Sequence, residues 1–419
     1  MRILWASHVI PYPPKSGVHQ RCYHLLRAVA SRHDVDLIAF TQEPWLEIFY
    51  PSREAALEDC HRRLSELCRS VTFLPIESLK RRGGQARTAL EALVCPLSYT
   101  TRWLQGAAAR QAFMTAARER YDLVHLDTIG LGPYRPFFPA TPATLGHHNV
   151  ESHMLLRRAA NEPNAFKRAY FRQEARRVRR YEAKTAKDYA AHVTCSELDC
   201  ERLREVVGSG NLRAIPNGVD VEYFRRSGTT QSDQPSIIFV GSLNFYPNVD
   251  AVLLLLNEIW PLIKASNPEL RLDIVGSAPP RNVVELAAAS KDVRVHGYVD
   301  DVRPLIEAAT LYVCPIRDGG GTKLKLLDAF AMQKCVIAHP IACEGIDVTA
   351  GLNVELAADA AEFAAAIQRL LADRIGRERR GSAARELVIE RYSFAEIGRE
   401  LCEVFEAAAA CKPLPKEGR

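Results

Sequence analysis

The sequence predicts an α/β protein built on two parallel sheets. Three observations carry that expectation. Short β-branched and aromatic runs alternate with longer segments of helical periodicity through almost all 419 residues, and such alternation calls for crossover connections between parallel strands. Most of these runs are apolar on both faces, as strands covered by helices on either side must be. A polar, turn-rich stretch near residue 215 divides them into two comparable series. The architecture that follows is two Rossmann-like halves facing a cleft, with ligands at the carboxyl ends of the strands.

In the first series, strands are expected at Ile3–Val9, Val35–Phe40, Val71–Ile76, Leu123–Leu126, Thr144–His148 and His192–Cys195. The second series reads Ile237–Gly241, Leu272–Val275, Val293–His296, Leu311–Cys314 and Val336–Ala338. Helical patterns lie between them, as at Val18–Ser31 and Leu324–Met332. The turn Ile215-Pro216-Asn217-Gly218-Val219-Asp220, followed by the polar loop Arg225–Gln234, sets the domain boundary at 214/215.

Composition excludes several classes. The chain is 47% hydrophobic and 25% charged, which suits a globular protein and neither a disordered nor a collagen-like one. Its net charge of +5 is too small to argue for nucleic acid. The longest apolar run near a core element, Ala251–Leu256, is far short of the roughly 20 residues a bilayer requires. The start, Met1 to His8, lacks a signal-peptide core, so a cytoplasmic location is expected. The 11 cysteines are scattered without a Cys-x-x-Cys pair, and Cys195 and Cys200 are too isolated for a zinc site; free thiols in a reducing compartment are expected.

The densest chemical signal is the run from Cys314 to Ala331. A strand ends near Pro315, and Gly319, Gly320 and Gly321 let backbone approach a ligand closely. A helix starts near Thr322, so its free N–H groups and positive dipole end form a phosphate cradle. Arg317, Lys323 and Lys325 can add charge-assisted bonds to a diphosphate, and Asp328 can bind ribose hydroxyls. The Walker A order is absent. Nearby, Gly297 and Tyr298 follow a strand where backbone can read a nucleobase edge. Ser242, Asn244 and Asn248, after the first strand of the second half, are polar contacts for the same ligand.

In the first half, His8 to Val18 is a proline-rich segment whose Lys15, Ser16 and Gly17 open a helix, a loop suited to an acceptor or a phosphate. The fifth strand ends in Gly146-His147-His148-Asn149-Val150-Glu151-Ser152, polar groups costly to bury without a role. Asp127 ends the fourth strand and faces the same space. From Arg157 to Lys184 there are ten Lys or Arg against Glu162, Glu174 and Glu182, with aromatics interleaved. That segment reads as a solvated helix face or as a surface for anionic lipid headgroups.

These residues resemble a family-4 retaining glycosyltransferase of GT-B fold, over nearly the whole chain. The motifs are Ile10-Pro11-Tyr12-Pro13-Pro14 with Gly17, Ile215 to Asp220, Val240-Gly241, Pro247-Asn248-Val249-Asp250, and Gly319 to Ala331. The nearest pattern is that of bacterial sugar transferases of exopolysaccharide and related surface-polysaccharide pathways. The resemblance implies a UDP- or GDP-type sugar bound by residues 215–393 and a glycan or polyprenyl-linked acceptor bound by residues 1–214. A C-terminal helix, about 394–410, would return to the first domain. His148 matches the family's cleft histidine, with His147 the near alternative.

The sequence departs from the family at two places. Of the two glutamates the family carries, the second position is Asp328 and the first is Gly320, so the donor-sugar contact falls to Asp318 or to backbone of the glycine loop. The usual Arg and Lys after the second domain's first strand correspond to about Ser242 and Asn248, leaving the diphosphate to Arg317, Lys323 or Lys325. The expected reaction transfers a sugar with retention, with His148 and Glu151 positioning the substrates. Preorganised charge neutralises the leaving diphosphate, and neither a metal nor a resident cofactor is called for. Asp34-Val35-Asp36 opens a buried strand and is not read as a metal motif. Two rivals stand beside this reading: a nucleotide-sugar epimerase of the same fold, and a non-catalytic sugar-nucleotide-binding scaffold. A dinucleotide oxidoreductase is disfavoured because no Gly-x-Gly-x-x-Gly follows the first strand.

Overall fold

The computed structural model describes residues 1–42, 49–80, 84–95, 98–228, 234–318 and 322–411. The chain forms two compact units, Met1–Pro216 together with the segment from Ile397 onward, and Asn217–Glu396. The sequence set its limits at 214/215 and 393/394; the structure divides at 216/217 and 396/397.

The first unit contains the strands β1 (Arg2–Ser7), β2 (Asp34–Thr41), β3 (Ser70–Pro75), β4 (Leu123–Leu126), β5 (Ala143–Gly146), β6 (Ala191–Thr194) and β7 (Leu212–Ala214). They form one parallel sheet in the order β3-β2-β1-β4-β5-β6-β7. The second unit holds β8 (Ser236–Val240), β9 (Arg271–Val275), β10 (Val293–Gly297), β11 (Leu311–Cys314), β12 (Val336–Ala338) and β13 (Glu355–Leu356), parallel in the order β10-β9-β8-β11-β12-β13. The strand order reverses between β1 and β4 in one sheet and between β8 and β11 in the other. At such a reversal the neighbouring crossovers leave in opposite directions, and a crevice opens at the carboxyl ends of the strands.

Five helices matter to the argument: α1 (Gly17–Ala30), α2 (Glu151–Asn161), α3 (Ala165–Thr185), α4 (Leu324–Ala331) and α5 (Phe394–Ala410). The unit division falls inside α5, after its first turn. From there Ile397, Leu401, Phe405 and Ala408, spaced at helical intervals, are buried in the first unit's core with Trp5, Leu26 and Leu37. The Phe405 ring lies 5.8 Å from Trp5 and 4.9 Å from His125. Gly398 lets α5 press on α1, because a Cβ there would lie 2.2 Å from Ala28 Cβ. The second core surrounds Phe239, Tyr312, Phe330 and Phe363.

Three details differ from the sequence reading. β1 ends at Ser7 rather than Val9, and β5 at Gly146 rather than His148, so His8, His147 and His148 all stand in loops past the strand ends. β7 and β13 were not anticipated; both are edge strands of two or three residues that lack the doubly apolar pattern of the covered ones. Among the described residues, no helix is long and apolar enough to cross a membrane.

Candidate active site

In the second unit a polar cluster sits beside the reversal between β8 and β11. Lys325, on the first turn of α4, donates from Nζ to Asn248 Oδ1. Asn248 Nδ2 donates in turn to the Ser242 carbonyl at 2.7 Å. Gly241 makes the approach possible: a Cβ there would lie 2.6 Å from Lys325 Nζ and 2.9 Å from Asn248 Cγ. A second glycine completes the floor, since a Cβ at Gly276 would lie 1.9 Å from the Gly241 carbonyl oxygen. Burial lowers the Lys325 ammonium to about 8 and raises the Asp328 carboxyl to about 8. Among the described residues, Asp328 Oδ1 and Thr322 Oγ1 are buried without a hydrogen-bond partner. Orphaned polar atoms beside a buried cation are what a polar ligand would satisfy.

The remaining residues expected around the donor are placed as follows. Gly319, Gly320 and Gly321 lie outside the described residues. Asp318 follows β11, and Lys323 precedes the first residue of α4. The Arg317 guanidinium is engaged by Asp250 through two bonds of 2.8 and 3.1 Å. Ser242 Oγ bonds to Asn244 Oδ1 and to Ser277 Oγ. Gly297 has φ +68°, a left-handed conformation that favours glycine, and turns the chain into Tyr298, whose hydroxyl donates to Asp300. Asp250 and Gly276 were missed by sequence reasoning. Asp250, on the helix Tyr246–Leu254, was within reach, because an acid in a motif opposite a basic loop suggests pairing; Gly276 reveals itself only through contact with the Gly241 carbonyl.

In the first unit, the reversal between β1 and β4 brings Ser7, His8 and Asp127 together. Ser7 Oγ donates to Asp127 Oδ2 at 2.8 Å, and the His8 backbone N–H donates to Oδ1 at 3.1 Å. The His8 ring approaches the same carboxylate through Nδ1 at 3.0 Å, and the Cys22 thiol, on α1, donates to it at 3.6 Å. His148 Nε2 stands 3.8 Å from Asp127 Oδ2, and its ring meets that of His8 edge-on at 5.0 Å. Burial opposes ionisation of Asp127, yet the charge and hydrogen bond of the His8 imidazole, with the His148 imidazole close by, hold it well below the usual carboxylate range. Burial likewise depresses His8, but Asp127 outweighs it and raises the imidazole above its ordinary value. Burial keeps His148 below its ordinary value. Ligand atoms of His8, Asp127 and His148 lie within 4.8 Å of one another, a spacing compatible with a metal ion. Both Asp127 oxygens already accept hydrogen bonds, Oδ2 from Ser7 and Oδ1 from the His8 backbone.

The structure separates the two adjacent histidines. His147 Nε2 is 3.1 Å from His192 Nδ1, and His192 Nε2 is 3.0 Å from the Ala186 carbonyl. A carbonyl only accepts, so His192 carries its proton on Nε2, and His147 must donate from its own Nε2. His147 is thus a buried partner in the core, and His148 faces Asp127. Glu151, the first residue of α2, is raised to about 7 by burial and by Glu182, which burial also raises to about 7. Ser16 precedes α1 with its hydroxyl 2.7 Å from His19 Nδ1, Gly17 begins the helix, and the Lys15 N–H donates to the Pro13 carbonyl. Ser7, His8 and Cys22 are the residues of this cluster that sequence reasoning did not single out.

Two parallel-sheet units with polar clusters at their strand reversals define the GT-B class. Comparison with known proteins then fixes the family. The model described as "Glycosyltransferase Family 4" matches residues 15–223, and "Glycosyl transferases group 1" matches residues 234–373. The chain is a family-4 glycosyltransferase. It is 21% identical to an "Uncharacterized 44.6 kDa protein in cps region" of Klebsiella pneumoniae, over 97% of this chain and 98% of that one. Sucrose-phosphate synthase from Thermosynechococcus elongatus shares the fold with a TM-score of 0.68 at 17% identity, covering 97% of this chain and 98% of the other. Anabaena HepE, solved with UDP and glucose, has a TM-score of 0.66 at 13% identity, covering 97% and 100%.

Proposed function

We propose that this glycosyltransferase moves a sugar, with retention, from a UDP- or GDP-type donor to a glycan or polyprenyl-linked acceptor in bacterial surface-polysaccharide synthesis. The observation that carries the donor assignment is the Lys325–Asn248 contact over Gly241, beside the orphaned Thr322 and Asp328 oxygens. Lys325 neutralises the diphosphate as it leaves, and Asp328 holds ribose hydroxyls; Lys323, Arg317 and Asp318 border the same ligand. Charge fixed in place before the reaction lowers the barrier without reorganisation, and the mechanism needs no metal. Arg317 would reach phosphate only by leaving Asp250. On the acceptor side, His148 and Glu151 position the reacting hydroxyl. The Klebsiella relative's place in a cps region and the UDP bound to HepE support the polysaccharide role and the donor class.

A cytoplasmic enzyme with a lipid-linked acceptor also needs the membrane surface, and α3 offers a face for it. Phe166 is 89% exposed at its start, and Lys167, Arg172, Arg176, Arg179, Arg180 and Lys184 are exposed along it. The helix's two acids, Glu174 and Glu182, are both buried. An exposed face with cations and no acid attracts anionic headgroups.

The first test is thermal unfolding with UDP, GDP, ADP and TDP and their sugars. A ligand that binds only the folded state raises the transition temperature. One nucleotide is expected to do so, and the shift is expected to vanish when Lys325 and Asp328 are both replaced. The absence of any shift would overturn the donor assignment.

A further inference from the structure

We propose that His8, Cys22, Asp127 and His148 together form a zinc site in the first unit. The site stands on its own geometry; its effect on turnover, through His148, rests on the transferase reading above.

Four segments deliver these side chains: the loop after β1, α1, the turn after β4 and the loop after β5. Asp127 Oδ2 is 3.2 Å from His8 Nδ1, 3.6 Å from Cys22 Sγ and 3.8 Å from His148 Nε2. Cys22 Sγ is 3.9 Å from that same His148 nitrogen. A tetrahedron of zinc bonds of about 2.0–2.3 Å separates its ligand atoms by roughly 3.3–3.6 Å, so each of these distances lies within about 0.5 Å of it. Cys22 and Asp127 are buried, and with His148 they line one cavity, which leaves space beside the donor atoms. The Ser7 hydroxyl and the His8 backbone N–H fix the carboxylate from behind, as outer hydrogen bonds do in metal sites. A carboxylate oxygen has two lone pairs, so Oδ2 keeps one for an ion.

The donor set selects the metal. A thiolate with two imidazoles suits zinc, whereas magnesium and calcium prefer oxygen ligands. One thiolate and one carboxylate cancel the charge of Zn²⁺, so no net charge is buried. On binding, the Cys22 thiol proton leaves to solvent as sulfur bonds to the metal; His8 binds through Nδ1 and carries its ring proton on Nε2. No electron is transferred. The ion takes no part in sugar transfer. It ties four segments of the first unit together and occupies the His148 nitrogen, so it stabilises the unit and slows turnover.

Chelator-stripped protein titrated with zinc chloride is expected to bind one ion at this site and to unfold at a higher temperature. Cobalt chloride in its place is expected to give the visible bands of a tetrahedral site and a sulfur-to-cobalt charge-transfer band, the latter absent in Cys22→Ser. Cys22→Ser and His8→Ala, each shown to be folded by circular dichroism, should weaken zinc binding more than about 100-fold. Cys411→Ser, at an exposed cysteine, should bind zinc as wild type does. Unchanged zinc affinity in both folded variants would overturn the proposal, as would a cobalt spectrum without the charge-transfer band. In the transfer assay, zinc should inhibit wild type and a chelator should restore it. Zinc held by these residues with turnover unchanged would overturn the role given to His148 and leave the site standing.

Discussion

Lys325 reaches from α4 to Asn248, and the contact passes directly over Gly241, where no side chain would fit. The donor-side cation is therefore positioned by the first turns of two helices and one missing Cβ, and this makes the two neighbouring glycines unequal.

Gly241→Ala displaces the flexible end of Lys325 and the Asn248 amide, so the fold is expected to survive. Nucleotide affinity should fall at least about tenfold, the loss of roughly one charge-assisted hydrogen bond. Gly276→Ala drives a Cβ to 1.9 Å from a backbone carbonyl, which no rotamer relieves. It should destabilise the second unit by at least about 2 kcal/mol. Calorimetric unfolding and nucleotide titration of both variants distinguish the two outcomes; equal loss of stability would contradict the contact geometry.

Asp328 is expected to cost stability in the absence of ligand. The folded protein holds its proton to about 8, whereas the ordinary value is 3.8. Between those values the unfolded state ionises first, so stability falls as pH rises and the loss is complete above about 8. Asp328→Asn should remove the slope. At pH 7.5 it should be more stable than wild type by about 1 kcal/mol, or 2–4 °C for a unit of this size, while binding nucleotide more weakly. A less stable variant at that pH would assign the carboxyl a structural role.

Glu151 and Glu182 impose the same sign on the first unit. Both rise to about 7 from an ordinary 4.5, so stability should decline between those values and level off above 7. Glu182→Gln relieves the mutual repulsion and should flatten that decline. Transition temperatures measured from pH 4.5 to 8 check it, and an unchanged slope would separate the two carboxyls.

The paired histidines should part experimentally. His192→Leu leaves the buried His147 N–H without its acceptor, a loss of about 1–3 kcal/mol read by denaturant unfolding. His148→Ala makes no such orphan, so it should stay within about 1 kcal/mol of wild type while turnover falls. The reverse pattern would exchange their roles.

Charge reversal at Arg172, Arg176 and Arg180 should release the protein from vesicles containing phosphatidylglycerol. Each basic residue near such a surface contributes about 1 kcal/mol, so binding should weaken more than about 100-fold. Wild-type binding should also fade near 1 M salt, where the Debye length shrinks to about 3 Å. Phe166→Ala should weaken binding to the same vesicles with little effect on its salt dependence. Binding that persists in the triple variant would remove α3 from the interface.

Much of the architecture is written locally. Doubly apolar runs such as Leu311–Cys314 specify covered parallel strands because both faces must be buried, and the Pro-Asn-Gly turn at 216–218 marks the break between series. Lys325, Asp328 and Asn248 were legible because their spacing from a strand end and a helix start is a chain property. The edge strands β7 and β13 were not, since a strand with one neighbour need not be apolar on both faces.

Tertiary structure alone decided which groups share a carboxylate. Ser7 and His8 are separated from Asp127 by about 120 residues, and they meet because β4 pairs with β1 while β2 lies on the other side. The pairing of β5 with β4 and β6 turned His148 toward Asp127 and buried His147 against His192, two neighbours that no local pattern distinguishes. In the second unit the pairing of β8 with β9 gave Gly276 its purpose, since only the Gly241 carbonyl just past β8 makes its missing side chain necessary. Periodicity records how each residue meets solvent, whereas the order of strands in a sheet determines which distant residues meet one another.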